Sequence, residues 1–299
     1  MQGNCAFCGG QAELMQSHVL PAFVFRWLRE RSGKGGHIRD TDRPNVRVQD
    51  CLKQPWLCSA CEGHFGQYET AFATKVFHPW HRGEYRIPYG DWMLKFAVSV
   101  SWRVLKYARG RNPAAIYTEE RNHLMDEAAE RWRAFLEGEV PHPDQFEQHL
   151  LIFDFVKETS INDLPKNFNR FMTGAVTLDI VGSDRSLMTF AKMGRFMIFG
   201  IIQKGPNRWE GTKLHVRDGP LKPDKFVIPV GPIDLFRQKA SIVSSAMAEV
   251  SDKQLAKIDK RVRENLDAFS VSDQFAAIMA DADMFGVDSV ISSYSTDKS

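Results

Sequence analysis

The sequence predicts an α+β protein. A cysteine-pinned unit spans residues 1–85, and a larger α+β region spans 86–299, in which helices are followed by a mostly antiparallel sheet and by C-terminal helices. Three observations predict this. Two Cys-x-x-Cys pairs bracket the first sixty residues; four apolar runs (150–156, 175–181, 186–191 and 196–203) are separated by Gly, Asp, Asn and Pro; and segments of helical period lie on either side of those runs. With 43% apolar and 25% charged residues the chain can bury an ordinary core, which excludes disorder and collagen-like repetition. The formal charge is +2, too small to mark a nucleic-acid binder from bulk electrostatics, so a DNA or RNA site must be a local patch.

The elements follow in order. Ala12 to Leu20 reads as a short strand ending at Pro21, with His18 near its end. Apolar residues at 23, 24, 27 and 28 give a helix over 22–31, broken by Gly33, Gly35 and Gly36. Residues 37–54 read as irregular. Phe65, Tyr68, Phe72 and Val76 repeat at three and four residues, so a helix is expected to open at Cys61 and to end at Pro79. A boundary is expected at 84–90, then a helix from Asp91 to Gly110 and another over Glu119–Glu137, capped by Thr118 and closed by Pro141 and Pro143. After the strands, 233–250, 252–269 and 272–284 read as helices, and 289–299 as a frayed polar tail.

All five cysteines fall in the first 61 residues, four of them as Cys5 with Cys8 and Cys58 with Cys61. Two intervening residues let one tight turn aim both sulfurs at one ion, and neither pair sits in a thioredoxin-like strand and helix, so structural Zn²⁺ is the expected cofactor. Four thiolates close the coordination sphere and leave no position for substrate. Cys51 stands alone and is expected to be a reduced thiol. Nothing at the N-terminus reads as a secretory signal, and the longest apolar run, Phe196 to Ile202, falls far short of the roughly 20 residues a membrane span needs. A cytoplasmic location without a membrane partner is the expectation.

The order of Cys5-Ala6-Phe7-Cys8, Ser17-His18-Val19-Leu20-Pro21 and Leu57-Cys58-Ser59-Ala60-Cys61-Glu62 resembles the zinc-bearing, treble-clef HNH (ββα-metal) endonucleases. The resemblance covers about the first 80 residues. It implies that His18 is the general base, that Glu62 ligates a catalytic Mg²⁺ or Mn²⁺, and that the zinc is scaffolding. Ser17 stands where the family often has Asp, Glu62 where it has His, and Lys53 where it has its central Asn; the nearest Asn, Asn45, is the expected catalytic counterpart. His64 and Glu69 lie on the same early helix, and either could complete or orient the cation site. The resemblance further implies phosphodiester hydrolysis, with DNA as the expected partner and restriction or anti-phage defence as a setting. The alternative is a non-catalytic treble-clef module that binds nucleic acid or a protein.

Between Arg26 and Lys53 there are eight basic residues, Arg39, Arg43, Arg47 and Lys53 among them, against four acidic ones. This excess sits where a phosphate backbone would pass between base and metal helix. A second basic run lies on the helix after Asp91, where Lys95, Arg103 and Lys106 can share a face, read as a solvated face or a DNA contact. His78 and His81 flank Trp80, a Pro-Trp corner more readily than a second site. Beyond residue 85 the chain supplies architecture without a recognisable catalytic motif, leaving homo-oligomerisation or a regulatory protein partner as roles for the C-terminal region.

Overall fold

The computed structural model describes residues 1–31, 38–48, 52–85, 88–111, 116–217, 219–220 and 225–291. Cys51, the glycines at 33, 35 and 36, and the tail beyond 291 lie outside the described residues. The architecture is the expected mixture of α and β.

In the N-terminal unit β1 (Gln2–Asn4), β2 (Gln11–His18) and a strand at Lys53–Cys58 form one antiparallel sheet, while β3 (Ile38–Arg39) and β4 (Arg47–Val48) make a separate hairpin. The irregular reading of 37–54 is corrected by the β3–β4 hairpin inside it and by the strand at 53–58, here β5, which takes in its last two residues. Its register against β2 shifts where Met15 faces Leu57 and Gln16 faces Pro55, so Trp56 is an extra residue and the period-two pattern is lost at the bulge. Helix α1 (Ala22–Glu30) leaves directly after Pro21.

Helix α2 (Ser59–Phe72) begins two residues before the expected start, with Cys58 in extended conformation as its N-cap residue. It does not stop at Pro79. The chain widens into π-helical turns over Ala73–Phe77 and tightens again in α3 (His78–His81), where Pro79 sits at the start of the new helix. Pro79, which has no N–H to donate, follows directly on the π-helical turns, where the His78 amide reaches five residues back to the Ala73 carbonyl and the ladder is already widened.

Helices α4 (Trp92–Arg111) and α5 (Glu119–Glu137) come next, and the Thr118 hydroxyl accepts from the Arg121 amide as the cap. β6 (Pro88–Tyr89) pairs far along the chain with residues 219–220. The main sheet contains β7 (Gln148–Ile152), β8 (Val176–Ser183), β9 (Ser186–Met193) and β10 (Phe196–Gln203) in the order β7-β10-β9-β8, all antiparallel, with α6 (Phe168–Gly174) between β7 and β8. β7 is shifted toward the N-terminus of the expected 150–156 because its first residues, Gln148 and His149, are polar but fully buried. Their partners are supplied by distant segments: the Ser101 hydroxyl donates to Gln148 at 2.6 Å, and Thr212 Oγ1 lies 2.8 Å from His149 Nδ1.

β9 and β10 are buried along nearly their whole length because both faces of the sheet are covered. α4 lies on one face; on the other pack α6 and α7 (Val230–Ala248) through Phe168, Phe171, Phe236 and Ala240. Gly200 marks a close approach of α4, since a Cβ there would stand 2.5 Å from the Ser101 hydroxyl. A single apolar cluster runs from Phe7, Phe65 and Phe72 through Phe96 and Trp102 to Phe196 and Ile198, so the expected 84–90 boundary is crossed by continuous packing.

The expected helix over 252–269 is two. α8 (Asp252–Glu264) and α9 (Leu266–Ser270) are separated by Asn265, whose amide donates to the Arg261 carbonyl instead of letting the helix run on. α10 (Asp273–Phe285) and α11 (Val287–Ile291) close the described chain; α11 replaces the start of the expected frayed tail. No described helix is long and apolar enough to cross a membrane.

The two regions are joined by a buried ionic latch. Arg31 at the end of α1 donates to Asp273 through Nε (3.1 Å) and Nη2 (2.9 Å), and Arg195 donates to Asp273 at 2.7 Å and to Asp154 at 2.5 Å. The Arg31 and Arg195 side chains are 8% and 9% exposed. Arg31 therefore leaves the basic surface with which sequence grouped it.

Candidate functional site

The first knuckle closes on itself through backbone hydrogen bonds from Cys5 N to Gly10 O and from Gly9 N to Cys5 O, both 2.9 Å, with Gly9 at φ +74° where a side chain would be strained. Ala6 N donates to Trp56 O, the carbonyl at the β5 bulge, and this ties the knuckle to the second strand. Pairing Leu14 with Cys58 then carries β5 into α2 beside the first pair of sulfurs.

The four Sγ atoms of Cys5, Cys8, Cys58 and Cys61 all lie within 4.8 Å of one another, with Cys8 and Cys58 at 4.0 Å. Zn–S bonds of about 2.3 Å in a tetrahedron set S···S near ~3.8 Å, so the set is positioned for a metal ion and compatible with structural zinc. Burial pushes the Cys5 thiol up, but N–H donors of Cys8, Cys58 and Phe7 outweigh it and hold it at about 7; burial and the neighbouring sulfurs push Cys61 up. Four adjacent thiols do not all ionise unaided, and a divalent cation removes that conflict.

His18 occupies the end of β2, half-buried, its ring stacked at 6.3 Å from Phe25. Ser17 beside it is fully buried and donates to the Met15 carbonyl. Glu62 is half-buried in the first turn of α2, with no hydrogen-bond or ion-pair partner among the described residues. The connection between β2 and α2 runs through a residue that sequence placed elsewhere: Arg103. Its Nη1 donates to the His18 carbonyl at 3.1 Å and to Glu69 Oε1 at 2.6 Å, its Nε donates to Ser99 O, and its guanidinium stacks 5.5 Å from the Phe65 ring centroid.

Arg103 is 3% exposed, so the outward face expected of Lys95, Arg103 and Lys106 is corrected. The signal was present but weak. Glu69 shares a helix face with Glu62, and a basic residue on the next helix was available to meet it.

The remaining expected site residues go elsewhere. His64 Nε2 lies 3.0 Å from the Leu136 carbonyl and 3.2 Å from the Tyr68 hydroxyl, which makes it a tie between α2 and α5. Asn45 spends both ends of its amide on the C-terminal helices, donating to Glu249 O at 3.0 Å and accepting from Ser251 N at 2.8 Å. Arg39 and Arg47 face each other across the β3–β4 hairpin, and Arg43, Arg47 and Lys53 are exposed. Among the described residues the cysteines are the one group of three or more His, Cys, Asp or Glu arranged to hold an ion; His18, Glu62, His64 and Glu69 do not form a second. Comparison with family models, curated proteins and solved structures finds no match to this chain.

Proposed function

We propose that the N-terminal unit is a zinc-scaffolded, HNH-like endonuclease acting on DNA. The observation that supports the reading is the juxtaposition itself: four sulfurs bind the first knuckle to the β5–α2 junction, and the Arg103–Glu69 pair braces the strand end that carries His18 against α2. In this reading His18 takes the proton from the attacking water, a contribution of about 10²–10⁴-fold for a positioned base. Glu62 offers the hard oxygen ligand that Mg²⁺ or Mn²⁺ prefers. Such a cation would supply charge neutralisation at the phosphate; the described residues form no three-ligand cage for it. Arg39, Arg43, Arg47 and Lys53 are the proposed phosphate contacts.

The second reading, a non-catalytic treble-clef module that binds nucleic acid, is favoured by the engagement of Asn45 and His64 elsewhere. Incubation of supercoiled plasmid with Mg²⁺ or Mn²⁺ separates the two. Cleavage that falls at least ~100-fold in His18→Ala, with zinc content and melting temperature unchanged, supports the nuclease. Undiminished cleavage in His18→Ala removes that base, and no cleavage with either metal leaves the binding module.

A further inference from the structure

Arg39 and Arg47 are directly opposed across the β3–β4 hairpin, an arrangement in which like charges repel. A third guanidinium comes from the far end of the chain. Arg39 Nη2 donates to Gln254 Oε1 at 3.1 Å, which sets the first turn of α8 against the hairpin, and Arg261, seven residues after Gln254, lies on the same helix face two turns on. Burial first, and then Arg47 and Arg261, lower the pKa of Arg39; burial and Arg47 do the same to Arg261. The hairpin loop also carries two carboxylates, Asp40 and Asp42, within electrostatic range of Arg111 on α4, whose guanidinium donates to the Tyr107 hydroxyl at 3.0 Å.

The outward face of α8 continues the same sign. Lys253, Lys257 and Lys260 are exposed and span about 10 Å of helix axis, while Leu255, Ile258 and Val262 turn inward and are half-buried. Among the described residues, Lys260 alone of the three has a carboxylate within reach, Glu264 at 3.7 Å, and both are well exposed.

We infer that the surface where the β3–β4 hairpin meets α8 is a nucleic-acid phosphate-binding surface, with Arg39, Arg47 and Arg261 at its centre and Lys253, Lys257 and Lys260 extending it along α8. It deepens the proposed function by making the C-terminal region part of the DNA-binding face. The extent of the stripe suits a polyanion rather than a single phosphate. A membrane surface is disfavoured because the apolar side of α8 faces the protein, leaving nothing to insert between lipids.

The test is fluorescence anisotropy of the full-length zinc-loaded protein with a 30-base-pair duplex over a range of salt, without Mg²⁺ or Mn²⁺. Arg261→Gln/Lys257→Gln/Lys260→Gln is compared with Lys157→Gln/Lys166→Gln/Arg185→Gln, three exposed cations outside this surface, so that bulk charge is matched. The first variant is expected to weaken binding at least ~10-fold and to flatten the log–log salt slope by about 2–3, because each phosphate that is no longer neutralised takes roughly 0.9 from the slope. The control is expected to change little, and melting temperatures report folding of both. Equal losses in the two variants, an unchanged first variant, no duplex binding by the wild type, or binding to phosphatidylserine vesicles in place of duplex would each overturn the inference. Plasmid cleavage is scored separately, so a chain that never cuts but binds through Arg261 refutes the nuclease and keeps this surface.

Discussion

Two polar clusters hold this protein together, and they do so by different physics. The four sulfurs of Cys5, Cys8, Cys58 and Cys61 need an ion to become a bonded set. The Arg31–Asp273–Arg195–Asp154 latch is complete within the chain, its charges already matched. The first connects segments some fifty residues apart inside one small unit; the second connects α1 to the turn before β10 and to the start of α10. Beside the latch the Lys192 ammonium is fully buried and donates to the carbonyls of Met172 and Ala175 and, at 2.5 Å, of Gly194; burial holds its pKa well below the ordinary lysine value. The lesson is that a metal cluster contributes bond energy directly, whereas a buried ion pair costs desolvation and returns chiefly a fixed geometry.

The sharpest way to break the contrast is at sulfur. Cys58→Ser, or removal of metal by a strong chelator, is expected to abolish zinc binding and to disorder the knuckle and the start of α2, because structural zinc supplies about 10–16 kcal/mol in isolated fingers. Elemental analysis with near-ultraviolet circular dichroism reads both; a zinc-free protein with native signal would remove the scaffold.

The latch should respond in a second, smaller manner. Asp273→Ala leaves two buried guanidiniums without their shared carboxylate and is expected to cost about 3–5 kcal/mol in denaturant unfolding. Replacing the set together, Arg31→Met/Asp273→Leu/Arg195→Met, is expected to be near neutral or stabilising. A triple variant as unstable as the single one would show that the charges themselves contribute stability.

Acid separates the clusters further. The His81 ring packs 4.5 Å from both Trp27 and Phe77, and its Nδ1–H donates to the Phe77 carbonyl at 2.7 Å, so it is held neutral; burial is the main reason its pKa falls to about 4. A histidine depressed on folding stabilises fully above its unfolded pKa of about 6.5 and loses that contribution as pH falls toward 4. The expected loss is ~3 kcal/mol, read from urea midpoints between pH 7 and 4, and His81→Gln should flatten the profile.

Asp273 acts lower. Burial raises its pKa, but Arg31 and Arg195 outweigh that and depress it, so its contribution is present above about 3.9, the ordinary carboxylate value, and is lost below. The smallest effect is expected at Asn45. Asn45→Ala removes two exposed hydrogen bonds to the 249–251 turn and should cost ~1 kcal/mol, with faster proteolysis there rather than global unfolding.

Much of the fold was legible because its signals are local. The runs over 175–203 became adjacent antiparallel strands, Thr118 capped α5, and the two Cys-x-x-Cys turns converged as their spacing required. β5 was hidden by its bulge at Trp56, and the helix predicted over 252–269 was interrupted by one Asn side chain.

The candidate site was legible only in part. His18 and Glu62 lie on the strand and helix predicted for them, whereas Asn45 and His64 found partners on segments more than seventy residues away.

By itself, the sequence determined most of the elements and the spacing of the sulfur ligands, because capping, periodicity and a two-residue ligand spacing are set within a turn or two of backbone. Tertiary structure alone decided which charges turned inward and which stayed on the surface. Arg103 beneath His18, Arg31 in the latch and Arg261 beside Arg47 are placed by chain crossings, and a guanidinium's fate depends on whether a carboxylate, a carbonyl or another cation arrives next to it.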